Sequence, residues 1–134
     1  MTPEQREFLE SHRLCVLAIE REAGPPALSP VYYVMDDDDF LISTTATRYK
    51  GKGIKKHPNV SLSVLHEEFP FPYLMVYGTA RVETDDPAGL MARIGEKMFG
   101  APVAADAMPA LEKRAMDEKR VVLRITPTGF SSRP

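Results

Sequence analysis

Six short runs of strand-forming residues, each closed by turn chemistry, leave this chain few folds to choose from. They are LCVLAI (14–19), ALSPVYYVM (27–35), FLIST (40–44), NVSLSVL (59–65), YLMVYGTARV (73–82) and RVVLRI (120–125). In NVSLSVL the alternation is clean, with Val60, Leu62 and Val64 on one face. Between the runs lie EREAGPP (20–26), the acidic turn Asp36–Asp39 and EEFPFP (67–72). Connections this short return a strand antiparallel to the one before it, and the first three runs read as a meander. An antiparallel sheet of this size in a chain of 134 residues commonly closes into a barrel. Pro30 cannot donate to a ladder, so its strand carries an edge, a bulge or a ligand there. Gly78 marks a bulge or a close backbone approach.

Helices are few and flank the strands. Thr2-Pro3-Glu4-Gln5 has a capping residue, a proline suited to the first turn and a Gln completing a capping box, which predicts a short helix ending near Ser11 or His12. Phe8 and Leu9 give it an apolar edge. Ile54 to His57 makes at most one turn before Pro58. Asp85-Asp86-Pro87 opens a helix with Leu90, Met91, Ile94 and Met98 at helical spacing, interrupted at Gly100–Pro102. Its apolar stripe reads as core or subunit interface. A further helix is expected over Ala107–Lys119, and Thr126–Pro134 reads as a polar tail. There is no internal repeat, and residues 1–134 read as one domain.

Composition excludes several classes. The chain is 43% hydrophobic and 27% charged, and holds no apolar run long enough to span a bilayer. The polar start MTPEQREFLESH lacks the apolar core of a secretory signal, and Cys15 is the single cysteine, so a cytoplasmic location is the default expectation. Cys15 lies in an apolar run and reads as core. A net charge of -2 and a pI near 5.9 argue against a nucleic-acid binder.

Against that balance stands one concentrated basic segment. Arg48, Lys50, Lys52, Lys55 and Lys56 fall within nine residues, with Gly51 and Gly53 between them, and no acid occurs between Asp39 and Glu67. In an extended chain Arg48, Lys50 and Lys52 project to one side. Cations beside backbone N–H groups that glycine leaves accessible suit a compact anion such as phosphate. A solvated basic turn is the plain alternative. GKGIKK ends neither as a Walker loop nor as a dinucleotide fingerprint.

Other constellations are weaker. His12, His57 and His66 have no metal-ligand spacing. The four aspartates lack the glycine and glutamate of a calcium loop and read as a solvated hairpin. Ser29 has no nucleophile elbow around it. Tyr32, Tyr33, Tyr73 and Tyr77 read as packing residues before catalytic acids.

The order of these pieces carries a resemblance. It lies in the N-terminal helix, the first two strands, the third strand followed by Arg-x-Lys and a basic turn, then His-Pro and an alternating strand, and in Gly78-Thr79-Ala80 and RVVLRITPTGFSS. So ordered, the chain resembles the split-barrel flavoproteins of the pyridoxamine-phosphate-oxidase type, and within them the small deazaflavin (coenzyme F420)-dependent reductases. The resemblance implies a mainly β fold, a six-stranded antiparallel split β-barrel with a few short flanking helices. It implies that Arg48 and Lys50, with Lys52 adjacent, hold the cofactor's phosphate. It places the ring along the second and third strands, near Ser29, Pro30, Val31, Tyr32, Ser43 and Thr44. It also implies a homodimer with the cofactor at the subunit interface. Gly53 departs from the family's frequent Asn at that place, which removes one cofactor hydrogen bond.

The function so implied is hydride transfer from reduced coenzyme F420 to a small conjugated organic substrate. FMN in the same fold, or a non-catalytic carrier of a flavin-type cofactor or heme, are the alternatives. Tyr32, Tyr77 and His66 are proton-donor candidates by residue type alone, and no catalytic residue is assigned. The loops Glu67–Pro72 and Gly100–Met108 are expected to shape the substrate entrance.

Overall fold

The structure, a computed structural model, describes residues 1–47 and 52–133. In chain order it runs α1 (Pro3–Ser11), β1 (Leu14–Ile19), β2 (Ala27–Tyr32), β3 (Val34–Asp36), β4 (Asp39–Thr45), α2 (Lys52–Lys56), β5 (Asn59–Leu65), β6 (Tyr73–Glu83), α3 (Pro87–Phe99), α4 (Met108–Asp117) and β7 (Arg120–Arg133). A 3-10 turn, Ala105–Ala107, leads into α4. Among the described residues no helix is long and apolar enough to cross a membrane.

All seven strands form one antiparallel sheet, in the order β2-β1-β5-β6-β7-β4-β3. The two edge strands, β2 and β3, are consecutive in the chain and joined by Tyr33 alone. One residue spans only about 3.5 Å, so the sheet must curl until its edges meet. That linkage makes it a split barrel.

Three expectations are corrected here. The run Ala27–Met35 is two strands, so the sheet has seven and not six. The first three runs form two separate hairpins, β1–β2 and β3–β4, at opposite ends of the sheet and not a meander. Thr126–Arg133 continues β7, pairing back to Tyr73 of β6. A backbone ladder needs no apolar side chains, and this stretch lies alongside the outer half of β6. Other expectations hold. Thr2 and Gln5 form the capping box of α1 at 3.1 and 2.9 Å. The β6–β7 register shifts between Tyr77 and Gly78, where a Cβ on Gly78 would lie 2.5 Å from the Thr126 carbonyl oxygen.

The barrel interior is filled by Leu17, Phe40, Ile42, Val64, Leu74, Val76, Leu123 and Ile125, all nearly inaccessible. Ile54 plugs α2 into it and Leu9 does the same for α1. Tyr33 is also buried, and its hydroxyl donates to the Leu9 carbonyl at 2.6 Å. The Lys97 ammonium stands 4.0 Å over the Tyr33 ring, and burial pulls its pKa down to about 8. Cys15 is buried, as expected, and desolvation raises its thiol to about 12. On the outside, α3 covers β4 and β7 through Leu90 and Ile94 against Val34, Leu41 and Val122.

Candidate functional site

Strand parity decides which side chains can meet a ligand. On β2, Ser29 and Val31 pair with the buried Leu17 and Cys15 and face the barrel interior, whereas Pro30 and Tyr32 face outward. On β4, Thr44 shares the inward parity of Phe40 and Ile42 and is buried, and Ser43 faces α3. The hydroxyls of Ser43 and Thr44 are both buried, with no hydrogen-bond partner among the described residues. A buried hydroxyl left unpaired costs about 1–3 kcal/mol, so both are places where a small shift to meet a polar partner would be favourable.

Tyr32 and Ser43 come together on the wall of a cavity of about 670 Å³. Its remaining wall comes from α3, the following segment and α4, chiefly Met91, Ile94, Met98, Phe99, Val103 and Leu111, with Arg114 and Arg120 the charged residues of its lining. Such a volume with an apolar wall and few polar groups is typical of small-molecule sites. The local sequence sets this wall. Asp86 accepts from the Gly89 N–H at 3.0 Å to start α3, and a Cβ at 89 would lie 2.1 Å from Asp86 Oδ2, so a larger residue there would displace the capping carboxylate. Gly100, at φ 76°, ends α3 and turns the chain toward Val103. The segment expected to shape an entrance, Gly100–Met108, does line the cavity through Val103 and Ala107, whereas Glu67–Pro72 does not.

Four of the nine predicted binding residues are not brought to this cavity: Ser29, Pro30, Val31 and Thr44. Arg48 and Lys50 lie outside the described residues. Lys52 opens α2, and its side chain lies outside the description too. The basic segment is less isolated than it reads. The β1–β2 hairpin supplies Glu22 to Lys56 at 2.6 Å and Glu20 to His57 at 3.3 Å. The Lys56 ammonium holds the Glu22 carboxyl below its usual range. The acidic turn is likewise structural. Arg124 donates to Asp36 and Asp39 at 2.9 and 3.2 Å, and Arg6 pairs with Asp38.

Residues 1–133 match the pyridoxamine 5'-phosphate oxidase family. The chain belongs to that family. No curated protein matches it significantly. Among solved structures it is similar to a conserved hypothetical protein from Mycobacterium tuberculosis, with a TM-score of 0.81 at 22% identity, over 98% of this chain and 84% of that one. An F420 reductase aligns with a TM-score of 0.72 at 25% identity, over 94% of each chain. The heme storage protein HutZ from Vibrio cholerae aligns at 0.67 and 18% identity, over 96% and 92%.

The cavity wall was missed at the level of sequence. In the sequence Leu90, Met91, Ile94 and Met98 form a single apolar stripe, but in the structure Leu90 is core, Met91 and Gly95 face the cavity, and Ile94 and Met98 do both. The four residues span about 100° of the helix, the width of one ordinary packing face, so the spacing alone does not separate the core side from the cavity side.

Proposed function

We propose that this chain is a reductase that uses coenzyme F420 as hydride donor to a small conjugated organic substrate, at the cavity between β2, β4, α3 and α4. The observation carrying the reading is that Tyr32 of β2 and Ser43 of β4, from opposite ends of the sheet, share one largely apolar cavity immediately before the basic segment in sequence. The ring-edge contacts such a cofactor needs match the orphaned hydroxyl of Ser43, and its flat apolar face matches a wall of Met and Ile. Similarity to an F420 reductase at 25% identity supports the same choice over FMN.

Bound there, reduced coenzyme would supply the hydride for an electron-poor carbon of the substrate, with a proton going to the neighbouring carbon. The chain's part is binding, orientation and exclusion of water. Arg48 and Lys50, with Lys52, would hold the phosphate, and Ser43 and Tyr32 would meet the ring from the cavity wall. Of the proton-donor candidates given by residue type, Tyr32 lines the cavity and Tyr77 and His66 do not, so Tyr32 or a water is the proton source in this reading.

The site is completed in a homodimer. Cross-strand neighbours share a face, and the register places Leu28, Ala18, Ser61 and Tyr77 in one outward row, with Leu14 and Tyr32 paired on the same face. Leu14, Leu28, Tyr32, Leu65 and Tyr77 are each at least 39% exposed there, while the helices pack mainly on β3, β4 and β7. An exposed apolar sheet face of this kind supports a subunit interface there.

Steady-state oxidation of reduced coenzyme F420 over a panel of enones and quinones tests the reading. Turnover with one of them supports it. Tight binding of the coenzyme without turnover makes the protein a carrier instead.

A further inference from the structure

The rim of the cavity has a charge pattern that the proposed hydride chemistry does not use. Arg114 of α4 donates through Nε to Glu118 Oε2 at 3.1 Å, and Arg120 at the start of β7 donates through Nε to Glu118 Oε1 at 2.8 Å. One carboxylate therefore serves two guanidiniums, through one nitrogen of each. The Nη atoms of both have no hydrogen-bond partner among the described residues. Both arginines line the cavity, Glu118 does not, and the lining contains no carboxylate at all. Arg120 is held firmly, its side chain 23% exposed.

An apolar cavity with a surplus cation at its rim discriminates by charge. A guanidinium offers a planar fork that matches a carboxylate with two parallel N–H donors. In a pocket walled by Met91, Ile94, Met98 and Leu111 that pairing is screened less than in bulk water. A neutral apolar molecule gains only the wall. A dianion exceeds the single unit of surplus charge left once Glu118 is counted.

We infer that the cavity takes an apolar molecule carrying one carboxylate, met by Arg120 and Arg114, and that this is the substrate class of the reductase. The inference rests on the reading above only for the word substrate. The binding preference itself requires no coenzyme.

Calorimetric titration of the full chain with decanoate and with its neutral twin decanamide, without coenzyme, tests it. Decanoate is expected to bind at least about tenfold tighter. Arg120→Gln should remove most of that preference and leave decanamide binding unchanged. Arg114→Gln, at a more exposed position, does the same to a lesser degree and serves if the first variant folds poorly. Equal affinity for the two ligands, or a preference that survives in both variants, overturns the proposal. Decanoate preference in a protein that binds no coenzyme keeps the pocket and removes the redox reading. Coenzyme binding with no decanoate preference does the reverse.

Discussion

Arg124 is the residue whose loss should cost this fold most for a single charged side chain. It lies on the outer face of β7, 19% exposed, and donates to Glu83 at 2.8 Å, Asp36 at 2.9 Å and Asp39 at 3.2 Å. It thereby ties the β3–β4 hairpin to β6. Arg124→Met keeps most of the stem and removes the charge, leaving three carboxylates facing one another. A hydrogen bond to a charged partner is worth about 1.5–3 kcal/mol when well buried. The three partners here are 21–46% exposed, so each bond is screened toward the lower end of the surface range. Three such bonds sum to a loss of about 1 kcal/mol at pH 7, or roughly 3–5 °C in Tm for a domain of this size. The sign with pH is fixed by Glu83, whose carboxyl is held below its usual value, first by the hydrogen bond from Arg124. A depressed carboxylate contributes stability that is present above the unfolded pKa and is lost as pH falls through the folded one. Wild type and variant should therefore converge as pH is lowered from about 5 toward 3. Urea melts of both proteins at pH 7 and pH 3.5 measure this. A difference under about 0.5 kcal/mol at pH 7, or one unchanged at pH 3.5, would refute the reasoning.

Two further predictions use the same assays. Gly78→Ala puts a Cβ 2.5 Å from a backbone oxygen that cannot rotate away, and should destabilise by about 1–3 kcal/mol in urea melts, with a neutral effect counting against the bulge geometry. Lys97, with its pKa lowered to about 8 by burial, carries a desolvation cost that is fully present below pH 8 and relieved as pH rises toward the unfolded value. Wild type should gain stability relative to Lys97→Met between pH 8 and 10, and a flat difference across that range would contradict the buried placement.

Much of the fold was legible because each piece carried its own local signal. The capping box of α1, the Pro87 start of α3 and the Gly78 bulge are written in a few adjacent residues. What decides the topology is not. Tyr33 breaks β2 from β3 inside VYYVM, with neither glycine nor turn chemistry to announce it, and that single residue converts a meander into a barrel with its two ends joined. The polar stretch TPTGFSSR pairs through its backbone, to which composition is blind, and Pro127 is tolerated where the ladder is already irregular beside Gly78. The site divides the same way. Ser43 and Tyr32 followed from the resemblance, whereas Arg114 and Arg120 look like ordinary solvated charges until α4 and β7 bring them to one cavity. Glu20 and Glu22 reach the basic segment only through the β1–β2 hairpin, a pairing more than 30 residues distant in the chain.

The proposed function stands or falls on whether Arg48 and Lys50 grip the phosphorylated tail of a redox coenzyme. Fluorescence titration of the wild type and the Arg48→Ala/Lys50→Ala double variant with coenzyme F420, alongside FMN, tests it most directly. The account predicts saturable quenching of the coenzyme by the wild type, preference over FMN, and at least about tenfold weaker binding in the variant. No binding of either cofactor at high micromolar concentration, or equal binding by both proteins, would contradict it.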